Sequence, residues 1–203
     1  MPPFKPLPRA FYARPSVVVA RECLGKILVF EDQGLTLAGR IVETEAYLGT
    51  RDRAAHSYGG RRTPRTEVMY GEAGHAYVYF VYGMHFHLNL VADAPGFPAA
   101  VLIRAVEPLL GEEVMQSRRK TASRRLLTNG PGKLCQAFGI SRAQNGWDIC
   151  QGPLFLAQGP SPARVARGPR IGVAYAGTWA RRLLRFVDPD SDFLSKPVPA
   201  RKV

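Results

Sequence analysis

The 203-residue chain carries 28 Lys and Arg against 16 Asp and Glu, a formal net charge of +12 and a pI of about 10.1. Its length fits one large domain, and a 46% apolar content is ample for a buried core. The basic excess points to a polyanion; nucleic acid is favoured over an acidic membrane, because no polybasic amphipathic helix or lipidation signal is found.

Residues 1–13 are rich in Pro and Arg and are expected to trace an extended arm. Pro15 can open a helix over 16–24, stopped by Gly25 in the left-handed position that follows a helix. Residues 26–30 read as a strand, 31–34 as a turn and 35–47 as a long second strand, together a hairpin. Within the second strand, a period of two puts Glu43, Glu45 and Tyr47 on one face and Val42, Thr44 and Ala46 on the other. Carboxylates are depleted in strands and repel one another unless solvated or partnered. The bland reading is a solvated strand edge; the functional one is a carboxylate held in an aromatic slot.

Residues 48–74 form a long loop with Arg51, Arg53, Arg61, Arg62, Arg65 and His56, the imidazole lying among small residues. Loops this long inside a compact domain are usually functional or disordered. The segments 77–82 and 85–91 make a second hairpin whose tip presents Tyr82 and Met84 where Asn-Gly or Asp-Gly is usual. An exposed aromatic tip on a basic protein has the form of a wedge that unstacks bases. Residues 100–105 read as a strand ending in Arg104, and 112–127 as a very basic helix. The run 129–133 precedes a helix over 134–138; free amides there suit a phosphate, but Leu127 stands where a nucleotide P-loop needs Gly. Residues 141–168 are turn-rich with short strands near 153–157, and 169–177 read as a last strand and turn. The tail 188–203 is expected to be loose. With no repeat and no linker, the reading is one α+β domain over 1–203.

Cys23, Cys135 and Cys150 are too few and too scattered for a disulfide framework or a Cys-x-x-Cys site. The N-terminus lacks an apolar signal core and no run is long enough to span a bilayer. The expectation is a soluble intracellular protein, cytoplasmic or nucleoid-associated if bacterial.

Basic charge, an aromatic wedge and a slot with a special carboxylate suggest chemistry on one base swung out of its duplex. Tyr82, with Met84 beside it, would fill the gap. Lys133 and loop arginines such as Arg61 and Arg65 would hold the backbone. Tyr47, His56 and Tyr79 are the candidates for stacking on the base, worth roughly 1–3 kcal/mol against a few kcal/mol of unstacking. No lysine lies within 41–91, so a Schiff-base route has no evident nucleophile. His85 and His87 stand two apart with no carboxylate nearby in sequence, so no metal or other cofactor is expected. What remains is hydrolysis by water with a carboxylate base beside an oxocarbenium-like sugar. Between Glu43 and Glu45 the strand pattern does not choose.

Seven strings carry a resemblance: 41–49 (IVETEAYLG), 54–57 (AAHS), 77–79 (YVY), 82–84 (YGM), 104–108 (RAVEP), 130–137 (GPGKLCQA) and 169–173 (PRIGV). In order and with few gaps over about 8–187, they resemble the alkyladenine (3-methyladenine, or methylpurine) DNA glycosylases. The resemblance implies an α+β domain with a curved antiparallel core and a protruding hairpin. It implies Glu45 as general base, Tyr47, His56 and Tyr79 as pocket lining and Tyr82 as the minor-groove intercalator. Asn89 would disfavour normal guanine through its 2-amino group, Arg104 would lie near the flipped nucleotide's backbone, and Ile171 would act through its amide. The implied activity is monofunctional excision of 3-methyladenine, 7-methylguanine, hypoxanthine and ethenoadenine from double-stranded DNA by a monomer without a cofactor. The 141–168 segment matches only loosely. Two rivals are a non-catalytic binding module for damaged DNA or RNA, and a metal-dependent nuclease using Glu43, Glu45 and Asp52.

Overall fold

The computed structural model describes residues 4–32 and 34–198. Gln33 of the expected turn, and the outermost residues of the expected arm and tail, lie outside the described residues. Two short helices, α1 (Arg9–Tyr12) and α2 (Ser16–Glu22), lead into β1 (Ile27–Asp32) and β2 (Leu35–Tyr47). The second hairpin is β3 (Ala76–Val81) and β4 (His85–Ala92), followed by β5 (Ala99–Leu110). Helices α3 (Glu112–Arg119) and α4 (Pro131–Phe138) and strands β6 (Leu154–Ala157), β7 (Ala166–Gly168) and β8 (Arg185–Val187) complete the chain. The strands pair antiparallel in the order β3-β4-β5-β2-β1-β6, with β8 joining β2 to β7. This is the expected α+β class: a curved antiparallel core with helices around it and one hairpin standing out.

Alternation within the strands divides the sheet into two faces. Val78, Leu88, Leu90, Val101 and Ile103 bury into the main core beside Val19, Ala20, Leu134 and Phe138 of the helices. Tyr77, Tyr79, His87, Asn89, Ala100 and Leu102 face the opposite side, around a cavity. The pairing of β2 with β5 carries a register shift between Ala38 and Gly39 and two further irregularities that compensate one another. Ile41 pairs with Val106, Glu43 with Ala105 and Thr44 with Ile103, so Val42 is an extra residue on β2 and Arg104 an extra residue on β5. Each bulge reverses the alternation beyond it. Leu37 and Ile41 therefore face the main core before the bulge and Ala46 after it, which frees Glu43 and Glu45 for the other face.

Several expectations are corrected. The arm is not simply extended: Pro6 bridges to Ala157, α1 forms, and Tyr12 is fully buried. Strand β5 runs on past Arg104, because two buried glutamates neutralise that charge in mid-strand. The basic helix ends at Arg119, where Lys120 turns left-handed at φ +50°, and the chain folds back to bury Leu127. Helix α4 opens at Pro131, whose missing N–H costs nothing in a first turn. Residues 169–177 are a loop leading into a 3-10 segment, Ala174–Arg181, and the final strand is β8. The tail is docked: Phe193 packs on Val42 and Ala105, and Ser195 bonds Glu43.

Candidate active site

A cavity of about 240 Å³ opens on the sheet face opposite the core. That is below the roughly 300–1,000 Å³ typical of drug-sized ligands and suits a small planar ring system. Tyr47, His56, Tyr79, Asn89, Arg104 and Ile171 all line it, and Tyr82 stands at its rim. The aromatic wall is interlocked. His56 meets Tyr79 edge-on with ring centroids 4.5 Å apart, and its Nδ1 lies 2.8 Å from the Tyr77 hydroxyl. The Tyr79 hydroxyl lies 3.2 Å from His87 Nδ1. Arg65 covers the Tyr79 ring at 4.8 Å, with Nη2 3.2 Å from His56 Nε2.

Glu45 lies behind the cavity floor, with no exposed surface of its own. Its three partners all belong to the wall. Oε1 accepts from the Ile171 amide at 2.7 Å and lies 3.3 Å from Arg104 Nη1, while Oε2 accepts from the Tyr47 hydroxyl at 2.8 Å. Burial, reinforced by the Glu45 charge, holds the Tyr47 hydroxyl well above its usual pKa, so it stays a donor. An ionised carboxylate has about four acceptor sites. The three donors leave Glu45 one, on Oε2 beside the Tyr47 hydroxyl. Glu43 is different: Arg104 Nε, Arg185 Nε and the Ser195 hydroxyl converge on its Oε1 and the Ser195 amide bonds Oε2, and of these partners only Arg104 lines the cavity.

The floor is bracketed by a second buried pair. Arg170 Nη1 and Nη2 donate to Asp52 Oδ2 and Oδ1 at 2.5 and 2.8 Å, and both side chains are fully enclosed. Asp52 also accepts from the amides of Leu48 and Ala54, and Arg170 donates to the Ala46 carbonyl and stacks on the Tyr47 ring at 4.7 Å. One ion pair thus ties the His56 loop, the end of β2 and the loop that carries Ile171. Asp52 is saturated by these donors, so Glu43, Glu45 and Asp52 do not converge on a common cation site.

Burial, then Arg65 and Arg61, brings His56 down to about 4 from 6.5; burial, then Arg104, His85 and His56, does the same for His87. Both imidazoles are therefore neutral at pH 7. Between about 6.5 and 4 the unfolded chain binds more protons than the folded one, so stability falls as the pH drops through that window. Tm should fall between pH 7 and pH 5, and His87→Asn should flatten that dependence. Parallel Tm curves for the two proteins would remove His87 from the effect.

The tip of the second hairpin is strained. Tyr82 has φ +54° and Gly83 φ +69°, the mirror-turn conformation in which a bulky side chain is uncommon. Tyr82 is 77% exposed and Met84 69%, so neither is there for the core. Met84 stands outside the cavity. Lys133 lines the adjoining groove with His85, Arg119 and Gly132, its Nζ 2.8 Å from Asn129 Oδ1, and Arg61 is exposed at the surface of the loop. Arg104 is 6% exposed and reaches both cavity and groove from below. Sequence reasoning missed Tyr77, Tyr175 and Arg170, weighed His87 only as a metal ligand and placed Asp52 only in the nuclease rival. A period of two along β3 and β4 would have put Tyr77 beside Tyr79 and His87 beside Asn89; the Asp52–Arg170 pair had no local signal.

Comparison with known proteins gives a consistent result. A model of the methylpurine-DNA glycosylase family matches residues 10–192. A Methanocella arvoryzae protein with the provisional name 3-methyladenine DNA glycosylase is 51% identical over 195 residues, 95% of this chain and 97% of its own. A protein of the same provisional name from Myxococcus xanthus is 53% identical over 199 residues, 97% of each chain. Another, from Desulfitobacterium hafniense, is 48% identical over 200 residues, 94% of this chain and 98% of its own.

Proposed function

The chain belongs to the methylpurine-DNA glycosylase family, and we propose from that premise and the cavity that it flips damaged purines out of duplex DNA and hydrolyses their N-glycosidic bond. The substrates in this reading are 3-methyladenine, 7-methylguanine, hypoxanthine and ethenoadenine, and the product is an abasic site. The observation that carries the reading is the inequality of the two glutamates. All three partners of Glu45 line the cavity, whereas Glu43 is held from behind by Arg185 and Ser195 and shares only Arg104 with it.

The extruded base stacks against Tyr47, His56 and Tyr79, with Asn89 reading its edge against normal guanine. Tyr82 fills the vacated stack, and its exposed, left-handed position suits a wedge. Met84, at the same tip, meets the neighbouring groove surface. Lys133, Arg61 and Arg65 hold phosphates on either side, and Arg104, fixed between two carboxylates, faces the flipped nucleotide. A water entering the cavity base meets the remaining acceptor site of Glu45, which takes its proton as the C–N bond breaks and stabilises the cationic sugar. The departing base carries the bonding pair, and the activated water supplies hydroxyl to the anomeric carbon. Among the described residues no lysine lines the cavity, which supports a monofunctional reading, and the proposed working form is a monomer.

The test is release of free base from duplexes carrying hypoxanthine, ethenoadenine or methylated purines, run with chelator present. Release should persist in chelator, and borohydride should trap no covalent complex. Tyr82→Ala should weaken lesion-duplex affinity about 10-fold, the scale of one lost stacking contact. Tight lesion binding without base release would make the protein a binding module. Cleavage of undamaged strands that stops with chelator would make it a nuclease.

A further inference from the structure

Behind Glu45 lies a second buried layer that catalysis by Glu45 does not itself require. Glu43 has no exposed surface and receives four donors: Arg104 Nε at 2.8 Å, Arg185 Nε at 2.7 Å, and the Ser195 amide and hydroxyl at 2.6 and 2.7 Å. Ser195 comes from the C-terminal segment. Arg104 uses every side of its guanidinium: Nε on Glu43, Nη2 on Ser195 Oγ at 3.2 Å, and Nη1 3.3 Å from Glu45 Oε1. The segment is anchored on both sides of Ser195. Phe193 seats on Val42 and Ala105 at the paired bulges, and the Lys196 carbonyl accepts from Arg185.

Ordinary closure of a sheet end would need apolar cover, and Phe193 supplies it. The serine does something more specific. Its hydroxyl bridges Glu43 and Arg104 at once, so it fixes the angle at which the guanidinium meets Glu45. We propose that segment 193–196 is a positioning element of the excision site: Ser195 sets Glu43 and Arg104, and Arg104 sets the carboxylate of Glu45. This rests on the reading of Glu45 as the base. Displacing a reacting group by about 1 Å can cost about 10²-fold in rate, so a modest tilt of Arg104 should be measurable.

Three proteins are compared: wild type, Ser195→Ala and Ser195→Thr. Single-turnover release of hypoxanthine from duplex DNA is measured beside affinity for a cleavage-resistant, 2′-fluorinated lesion duplex. Ser195→Ala should lower the rate about 10-fold, within the cost of such a displacement, with affinity within about twofold of wild type. Ser195→Thr, which keeps the hydroxyl, should restore the rate. An unchanged rate in Ser195→Ala, or the same loss in both variants, overturns the proposal, because packing alone then accounts for the segment. Hydrogen exchange at the Arg104 Nε–H, followed by NMR, gives a readout that needs no turnover: it should quicken in Ser195→Ala, and unaltered exchange also overturns the proposal. Should wild type release no base, the excision reading fails by itself, and the exchange measurement still judges the latch.

Discussion

Replacing Glu45 with Gln should reduce single-turnover excision of hypoxanthine by about 10³-fold, inside the roughly 10²–10⁴-fold expected of a general base. The variant keeps the shape of the side chain and an oxygen for the Ile171 amide. It removes the charge that Arg104 faces and the basic site offered to water. Lesion-duplex affinity should change little, because the stacking residues Tyr47, His56 and Tyr79 stand where they did. A loss confined to rate is the signature of an interaction made in the transition state. Rate and affinity falling together would mean that the floor had collapsed, and an undiminished rate would remove Glu45 from its role. The companion variant Glu43→Gln should behave otherwise. With four donors around it, Glu43 should report first as a loss of folding stability.

Asp52→Ala should lower unfolding stability by about 3–5 kcal/mol, the cost of leaving one partner of a buried ion pair uncompensated. The stranded group is Arg170, fully enclosed, with an Nε that already has no partner. The same substitution strips acceptors from the amides of Leu48 and Ala54. Because Ile171 follows Arg170 directly, the amide on Glu45 should loosen as well, so excision should weaken in the variant even where it remains folded. Adding Arg170→Met should recover part of the stability, since an apolar side chain of similar length leaves no buried charge. Urea melts of the two single variants and the double variant measure the coupling; additive losses, or a loss under 1 kcal/mol for Asp52→Ala, would contradict the account.

The parts of this protein legible from sequence are those governed by local rules. Alternation placed Glu43, Glu45 and Tyr47 on one face, and both hairpins were readable, whereas Asn89 was named only through the family resemblance. The left-handed stop at Gly25 was readable because glycine alone takes such a position without strain, and its φ is +83°. What escaped depends on contacts between distant segments. Arg104 read as a strand end because a lone charge in mid-strand is unfavourable, and nothing near it in sequence announced Glu43 and Glu45 as its partners. Strand β8 has only three residues, and its register comes from β2 and β7 rather than from its own pattern. The tail read as loose because its composition is polar and Pro-rich, yet Phe193 and Ser195 suffice to dock it. The aromatic hairpin tip was conspicuous for the opposite reason: Tyr82 breaks a local rule, with φ +54° and most of its surface exposed.

The paired bulges at Val42 and Arg104 make the orientation of the carboxylates a matter of counting. Were both bulges drawn straight with no residue removed, Glu43 would pair with Arg104, and Glu43 and Glu45 would roll into the oily side of the sheet while the neighbouring strands kept their hydrogen bonds. Such a protein could keep much of its secondary structure and still have no acid group at its cavity. Substitutions across 41–44 and 103–106 should therefore be tolerated only where they leave the bulged pairing in place.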